Sequence, residues 1–226
     1  MGKILIVGGS KGIGAATASI LNDKENLINI SRTLSEKDYF EQQFSCDILN
    51  DDLPDIEDNL SGLIYCPGSI NLKPFTSLSD KDFRNDLEIN FHGAVKVIQK
   101  YLPNLKKEKG SSITLFSTVA VGVGMPFHTS ISAAKGAVEG LVKALSAELA
   151  PTVRINAIAP SLTNTNLASR LLRNEKQLEA ANERHPMKRV GAPEDIAEMA
   201  AFLVSNKSSW ITGQIFQVDG GMSAIK

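Results

Sequence analysis

The sequence predicts an α/β protein with one doubly wound parallel sheet and helices on both of its faces. Short apolar runs alternate with longer amphipathic stretches along the whole chain. This alternation is typical of parallel strands that are joined by helices. A length of 226 residues suits a single domain that spans residues 1–226 and has a complete core.

The predicted strands are short apolar runs at Ile4–Val7, Leu27–Ile30, Leu63–Tyr65, Ile113–Phe116, Arg154–Ala159 and Gln214–Val218. The predicted helices lie between them, for example at Ile13–Leu21, Asp82–Leu102, Ala133–Leu149 and Pro193–Val204. A long polar stretch, residues 162–190, follows a late strand. Because ligands of doubly wound sheets bind at the carboxyl ends of the strands, we expect this stretch to form a substrate lid.

The composition excludes several classes of partner. The chain has 24 basic and 25 acidic residues and a net charge of -1, so nothing in its charge favours nucleic acid or an anionic membrane as partner. No apolar run approaches the roughly 18 residues of a membrane span, and the short N-terminal run is better explained as a first strand than as a signal peptide. Cys46 and Cys66 form no close-spaced pair. We therefore expect no disulfide framework, no metal site and a cytoplasmic location.

A glycine-rich turn follows the first predicted strand and opens the first predicted helix. Its sequence is Val7-Gly8-Gly9-Ser10-Lys11-Gly12-Ile13-Gly14. Glycines let the backbone bend sharply and approach a diphosphate closely, and the helix N-terminus offers free N–H groups to the phosphates. Between a strand and a helix, such a turn predicts a dinucleotide-binding Rossmann fold.

The residues after the second predicted strand indicate which dinucleotide is bound. They are Ser31-Arg32-Thr33, and no carboxylate is present to accept a hydrogen bond from a ribose 2′-hydroxyl. Arg32 and Lys11 are predicted to hold a 2′-phosphate instead, so the expected cofactor is NADP(H). The alternative is that both are ordinary solvated surface cations.

The Gly-x-x-x-Gly-x-Gly spacing resembles that of the short-chain dehydrogenase/reductase family, although Val7 replaces the usual threonine. The resemblance extends over nearly the whole chain and implies further cofactor contacts. Asp47 and Ile48 match the adenine segment, whereas Tyr65-Cys66-Pro67-Gly68 replaces the family's Asn-Asn-Ala-Gly turn and Ser161 replaces a customary glycine. The implied cofactor-binding residues are Gly8, Ser10, Lys11, Gly12, Ile13, Gly14, Arg32, Asp47, Ile48, Cys66, Pro67, Gly68, Asn90, Lys135, Pro160, Leu162 and Thr163.

The same resemblance implies a catalytic set that lacks one member. In the family a tyrosine precedes a lysine by four residues, and this spacing on a helix lets the ammonium lower the phenol pKa. Here the stretch is Ile131-Ser132-Ala133-Ala134-Lys135, so Ile131 occupies the tyrosine position. Thr118 occupies the position of the family's serine with Ser117 beside it, and Asn90 matches an asparagine that supports a relay water. The implied catalytic residues are therefore Lys135, Thr118, Ser117 and Asn90.

Three groups could replace the tyrosine as proton donor. Ser132 lies about 100° around the helix from Ile131 and should point elsewhere. His128 precedes the helix and could turn toward a substrate oxygen, unless it is an ordinary surface or lid-contact histidine. Lys135 could donate through a water held by Asn90. Without its general acid, an enzyme usually loses roughly 10²–10⁴ in rate.

The sequence therefore predicts an NADP(H)-dependent oxidoreductase that interconverts a carbonyl and an alcohol on an unidentified small molecule, with an altered proton relay. Two alternatives stay open: an NADP(H)-binding homologue without activity, acting as sensor, scaffold or partner subunit, and a lyase or isomerase. Small side chains on one helix also predict a homodimer or homotetramer, with packing inside the subunit as the alternative. They are Ala133, Ala134, Gly136, Ala137 and Gly140.

Overall fold

A computed structural model describes residues 2–225 and contains a seven-stranded sheet in the order β3-β2-β1-β4-β5-β6-β7. All six neighbouring pairs are parallel. The chain builds the sheet outward from β1 first in one direction and then in the other, which confirms the predicted doubly wound α/β fold. The direction changes between β1 and β4, where such sheets open a crevice beyond the carboxyl ends of the strands.

The strands are β1 Lys3–Val7, β2 Leu27–Ser31, β3 Gln42–Ser45, β4 Leu60–Tyr65, β5 Ser111–Phe116, β6 Val153–Pro160 and β7 Ile215–Val218. Strand β3 is absent from the prediction because its sequence, Gln-Gln-Phe-Ser, has no apolar run. It lies at the edge of the sheet and pairs only with β2. An edge strand does not need two buried faces, so its sequence carries a weak signal.

The helices are α1 Gly12–Leu21, α2 Asp80–Leu87, α3 Gly93–Lys106, α4 Ala120–Val123, α5 Thr129–Leu149, α6 Glu175–Glu183 and α7 Pro193–Val204. A π-helical turn at Glu88–His92 joins α2 to α3 without a break. The predicted helix at Asp82–Leu102 is therefore one long rod with a wide turn in its middle. It starts two residues earlier than predicted because Ser79 caps it, accepting from the Asp82 N–H at 3.3 Å.

Two apolar layers cover the sheet. On one face, Val97 of α3 and Val142 of α5 pack in the same cluster as β-strand side chains such as Leu5. On the other, Ala18 of α1 and Ile196 of α7 pack with Ile6. Within residues 2–225, no helix combines the length and apolarity needed to cross a membrane. The same residues contain no cluster of three or more metal-ligating side chains.

The polar stretch 162–190 contains a 3-10 helix at Asn166–Leu171 followed by α6. It lies between β6 and α7, and Thr163 forms an isolated parallel bridge with Gly191 at its base. This bridge holds the two ends of the stretch together beside the carboxyl end of β6.

Candidate active site

Two adjoining cavities open at the carboxyl ends of the strands. We call the first, of about 640 Å³, the glycine-turn cavity, because it lies against the turn between β1 and α1. The second, of about 600 Å³, is the Lys135 cavity, which lies between α5, the end of β6 and the stretch 162–190. Residues that line both are Ile13, Cys66, Gly68, Ser69, Thr165 and Leu167. One extended ligand can therefore occupy both cavities.

The glycine turn has the geometry of an anion cradle. Gly8 and Gly12 have φ values of +82° and +55°, which side-chain-bearing residues rarely adopt. A Cβ on Gly14 would lie 2.3 Å from the Gly8 carbonyl oxygen, so only glycine allows α1 to approach the turn this closely. Lys11 at the N-cap makes no side-chain hydrogen bond to the helix, and the first turn contains no acidic residue. The first N–H groups of α1 are thus available to a diphosphate.

A buried asparagine in β2 holds this turn in place. The Gly9 N–H donates to Asn29 Oδ1 at 3.0 Å, and Asn29 Nδ2 donates to Ser31 Oγ at 2.9 Å. Asn29 is not among the predicted site residues, although a polar residue in the middle of the apolar run Leu27–Ile30 is a visible signal in the sequence. Because buried amides need partners, this residue is explained by the turn that it supports.

The end of β2 contributes positive charge to the glycine-turn cavity. Arg32 and Lys11 both line it, as predicted for a phosphate on the ribose. Asp47 and Ile48 line the same cavity. The Leu49 N–H and the Asn50 side-chain amide donate to the Asp47 carboxylate and hold its pKa below the usual range, and the charge of Arg32 acts in the same direction.

Lys135 lies in the wall of the second cavity and is only 8% exposed. Its Nζ donates to the Phe116 carbonyl oxygen at 2.8 Å. Burial lowers the pKa of this ammonium to about 8, partly opposed by Cys66 and Asp86. Ile131, one helical turn earlier, is 5% exposed and lines the same cavity, so the side chain at this position faces the space in front of Lys135.

Asn90 lies behind the cavity walls and is the one member of the predicted site set that lines neither cavity. Its Nδ2 donates to Ser69 Oγ and to the Asp86 carbonyl, each at 2.8 Å. Its buried Oδ1 has no hydrogen-bond partner among residues 2–225. A Cβ on Gly68 would lie 3.0 Å from this Oδ1 and 3.6 Å from Lys135 Nζ. An unpaired acceptor beside an ammonium is a site that a water or a ligand hydroxyl would satisfy.

Ser69 and Asp86 extend this polar cluster, and neither was predicted. Ser69 Oγ donates to Asp86 Oδ1 at 2.5 Å, and the carboxylate is buried within α2. No local signal marks Asp86, because the surrounding sequence, Asp-Lys-Asp-Phe-Arg-Asn-Asp-Leu, is charged throughout. Only its packing against α5 distinguishes it from its exposed neighbours.

The two hydroxyls at the end of β5 differ in what they contact. Ser117 Oγ donates to Glu139 Oε1 at 2.6 Å, so it ties β5 to α5. Thr118 is half-buried, lines the Lys135 cavity and accepts from the Ala120 N–H at 3.3 Å. Its O–H remains available to a substrate oxygen, which makes Thr118 the better placed of the two.

The other candidate proton donors are placed less favourably. Ser132 points away from the cavity toward the Ala120 carbonyl at 3.3 Å, as its angle on the helix predicts. His128 lines the cavity and is half-buried, but its Nδ1 lies 2.7 Å from the Pro126 carbonyl oxygen in its own loop. Tyr65 is buried outside both cavities, its hydroxyl donates to the Ile89 carbonyl at 2.6 Å, and burial raises its pKa.

The end of β6 closes the Lys135 cavity from the opposite side. Pro160, Leu162 and Thr163 all line it, and the Leu162 carbonyl accepts from the Gly191 N–H at 3.0 Å. Ser161 also lines the cavity and contacts His185, which follows α6 and was not predicted as a site residue. Nothing in the sequence distinguishes His185 from a surface residue, because it lies at the end of a polar stretch and precedes a proline.

The sequence is similar to those of known reductases over most of its length. A family model described as enoyl-(acyl carrier protein) reductase matches residues 40–223. A tropinone reductase homolog of Arabidopsis thaliana is 32% identical over 97% of this chain and 92% of its own length. A 3-oxoacyl-[acyl-carrier-protein] reductase of Thermotoga maritima is 29% identical over 98% of each chain.

Solved structures share the fold. The aldohexose dehydrogenase of Thermoplasma acidophilum superposes with a TM-score of 0.90 at 26% identity, over 100% of this chain and 95% of that one. ElxO with NADP bound superposes with a TM-score of 0.85 at 24% identity, over 98% and 99% of the two chains. At that identity the second comparison concerns the fold alone.

Proposed function

Because the chain belongs to the short-chain dehydrogenase/reductase family of oxidoreductases, whose members bind nicotinamide cofactors, we propose that it interconverts a carbonyl and an alcohol with NADP(H). The substrate is a small molecule that enters the Lys135 cavity. One observation carries the proposal: a cradle for a diphosphate adjoins a cavity whose wall presents Lys135 and Thr118.

The residues present fit this cofactor. Free N–H groups at the start of α1 would hold the diphosphate. Asp47 and Ile48 would contact the adenine, and the turn formed by Cys66-Pro67-Gly68 would contact the middle of the cofactor. Pro160, Leu162 and Thr163 would lie beside the nicotinamide, and Lys135 would hold its ribose. The bound cofactor supplies a hydride to a carbonyl carbon, or accepts one from an alcohol. The stretch 162–190 would close over the substrate.

The preference for NADP(H) is supported by charge at the end of β2. Arg32 and Lys11 line the cavity where a ribose 2′-phosphate would lie, and Ser31-Arg32-Thr33 contains no carboxylate to repel it. A guanidinium can donate two parallel hydrogen bonds to one phosphate.

The proton relay would differ from that of the family. Ile131 faces the cavity at the position that matches the family's tyrosine, and an isoleucine has no proton to transfer. The Thr118 hydroxyl would orient the substrate oxygen, and the Lys135 ammonium would stabilise negative charge that develops there. The proton must come from another group in the wall.

Binding and turnover test this proposal separately. We expect fluorescence titration to show tighter binding of NADPH than of NADH. Arg32→Glu should weaken NADPH roughly 10–100-fold, because it replaces charge-assisted hydrogen bonds by repulsion. Arg173→Glu, at an exposed position outside both cavities, is the matched charge control. Failure to bind either dinucleotide at millimolar concentration would overturn the proposal.

Turnover is then followed as NADPH oxidation with a panel of aldehydes, ketones and quinones. Tight NADPH binding without turnover on any of them would favour the second candidate, a cofactor-binding homologue that acts as sensor, scaffold or partner subunit. The buried Ile131 is the observation that favours this candidate.

We also propose that the protein is a homodimer or homotetramer that associates through α5. Ala133 and Gly140 are exposed on this helix, whereas Ala134 is buried within the subunit. A Cβ on Gly140 would meet no atom within 4 Å, so a second helix could approach closely there. Sedimentation equilibrium at the mass of one chain would contradict this proposal.

A further inference from the structure

The segments that follow β5 and β6 run side by side and bring two hydroxyl-bearing residues to the wall of the Lys135 cavity. The Ser117 N–H donates to the Ile158 carbonyl at 2.7 Å, and the Val119 N–H donates to the Pro160 carbonyl at 3.2 Å. This pairing continues the parallel register beyond the strands. Thr118 precedes Val119 and Ser161 follows Pro160, so the two residues flank the hydrogen bond between Val119 and Pro160. Both line the cavity.

Ser161 is hydrogen-bonded to a buried histidine. The Nε2 atom of His185 lies 2.9 Å from Ser161 Oγ, and the histidine is 2% exposed. Nδ1 of the same ring lies 2.8 Å from the Ala181 carbonyl oxygen, which can only accept, so Nδ1 carries a proton. Nε2 is thus the atom that gains or loses a proton, and it faces Ser161.

We propose that Ser161 and His185 form the proton relay of this site, in which Ser161 is the catalytic residue and His185 acts through it. The inference rests on the proposed function, because it names the group that serves the carbonyl oxygen. Reduction adds a hydride at carbon, from the cofactor named above, and a proton at oxygen. The Ser161 O–H bond breaks as the new O–H bond forms on the substrate. Ser161 Oγ then takes the proton from Nε2 of the His185 imidazolium, which becomes neutral and is recharged from water.

The hydrogen bond explains why protonation of His185 would control the step. When Nε2 is neutral it accepts from Ser161, whose O–H then points at the ring. When Nε2 is protonated it donates to Ser161 Oγ, and the Ser161 O–H, which otherwise donates to the Asp219 carbonyl at 3.3 Å, can turn toward the substrate. Reduction should therefore fall, and alcohol oxidation should rise, as the His185 ring loses its Nε2 proton.

Other proton-bearing groups in the wall are engaged elsewhere. Lys135 Nζ donates to the Phe116 carbonyl, and Ser117 Oγ donates to Glu139. His128 is half-buried and contacts the Pro126 carbonyl in its own loop. Ser161 also donates to a carbonyl, that of Asp219 at 3.3 Å, but it differs from the other groups because its hydroxyl contacts a buried titratable ring.

Charged groups of both signs surround His185. Burial raises the pKa of Asp219, on the loop after β7, but hydrogen bonds from Ser223 and Gly221 lower it further than burial raises it, and His185 adds a smaller lowering effect. This carboxylate favours the imidazolium. Cations that line the same cavity oppose it, namely Lys135, Arg170, Lys176 and Arg184.

The first test is the pH profile of kcat for carbonyl reduction, with NADPH binding measured in parallel. His185→Gln keeps a side chain that can bond Ser161 but cannot titrate, so we expect kcat to fall about 10²-fold or more and to lose its decline at high pH. Ser161→Gly should give the same loss with unchanged NADPH affinity. His92→Gln, outside both cavities, is the control with wild-type behaviour.

Two results would overturn the relay while leaving the proposed function intact: a wild-type pH profile in His185→Gln, or loss of the profile in His128→Gln instead. Absence of turnover in the wild-type chain despite NADPH binding would overturn the proposed function and the relay with it. NMR of labelled histidines is a readout that needs no turnover. We expect the ring signals of His185 to change in Ser161→Gly, because the ring loses its hydrogen-bond partner at Nε2. His185 signals identical to those of wild type in Ser161→Gly would overturn the relay.

Discussion

Replacing Gly14 by alanine is expected to damage the nucleotide site and the fold together. The added Cβ would lie 2.3 Å from the Gly8 carbonyl oxygen and 2.9 Å from the Gly8 carbonyl carbon. Both are backbone atoms of the turn, so no side chain can rotate away. To reach ordinary van der Waals contact, the start of α1 must move away from the turn by about 1 Å.

This movement has two measurable costs. Forcing an extra methyl group into a close contact costs roughly 1–3 kcal/mol of unfolding free energy. An N–H group that retreats by about 1 Å no longer makes a hydrogen bond to the diphosphate, and hydrogen bonds to charged groups contribute about 1.5–3 kcal/mol each. Losing one such bond weakens NADPH by roughly 10–150-fold.

Urea unfolding followed by circular dichroism and NADPH fluorescence titration measure the two effects on one sample. Gly122→Ala is the matched control, since Gly122 also lies in a helix but a Cβ there would meet nothing within 4 Å. The unfolding free energy of Gly122→Ala should rise by about 0.4–1 kcal/mol, and its affinity for NADPH should not change. Wild-type stability and affinity in Gly14→Ala would refute the close approach of α1 to the turn.

Three further predictions concern single side chains. Ile131→Tyr should raise kcat for carbonyl reduction about tenfold or more, because a phenol would face the cavity one turn before Lys135; unchanged kcat with intact NADPH affinity would contradict this. Arg154→Met should lower the unfolding free energy by about 1–2 kcal/mol, since the buried guanidinium donates to the carbonyls of Leu203 and Ser205, both of which keep a second donor in Ser208; urea titration measures the loss, and wild-type stability would refute it. Burial holds the folded pKa of Lys135 at about 8 against 10.5 for the free side chain. The charged form of Lys135 is thus disfavoured in the folded state. As pH rises from 8 to 10.5, the unfolding free energy of wild type should increase by up to about 3 kcal/mol relative to that of Lys135→Met. A stability difference that does not vary with pH would contradict this assignment.

Parts of the fold that obey a strong local rule were predictable. Strands β1, β4, β5 and β6 lie inside the sheet with helices on both faces, so each contains a run of apolar side chains, which buried polar residues such as Thr114 and Asn156 interrupt in β5 and β6. The glycine turn was predictable for a similar reason. The positive φ values of this turn and the 2.3 Å approach at Gly14 exclude other residues, so glycines at these positions reveal the turn in the sequence.

Features that depend on distant partners were not predictable in this way. The edge strand β3 pairs only with β2, and its polar sequence shows no alternation of apolar and polar residues that would indicate a strand. The π-helical turn at Glu88–His92 places Asn90 behind Gly68, and no residue type marks such a turn. Asp86 and His185 are buried because other elements cover them, and such burial cannot be inferred from their own sequence neighbours.

The sequence by itself therefore determined the doubly wound sheet, the position of the diphosphate cradle and the presence of Ile131 four residues before Lys135. It did so because backbone conformation and two-sided burial restrict which residues a short segment can contain. The tertiary structure alone decided that Ser117 turns toward Glu139, that Asn90 keeps an unpaired oxygen, and that Ser161 meets His185 from a segment 24 residues away. These contacts join elements that are separated in the chain, and each is set by packing and by the need of buried polar atoms for partners rather than by local sequence.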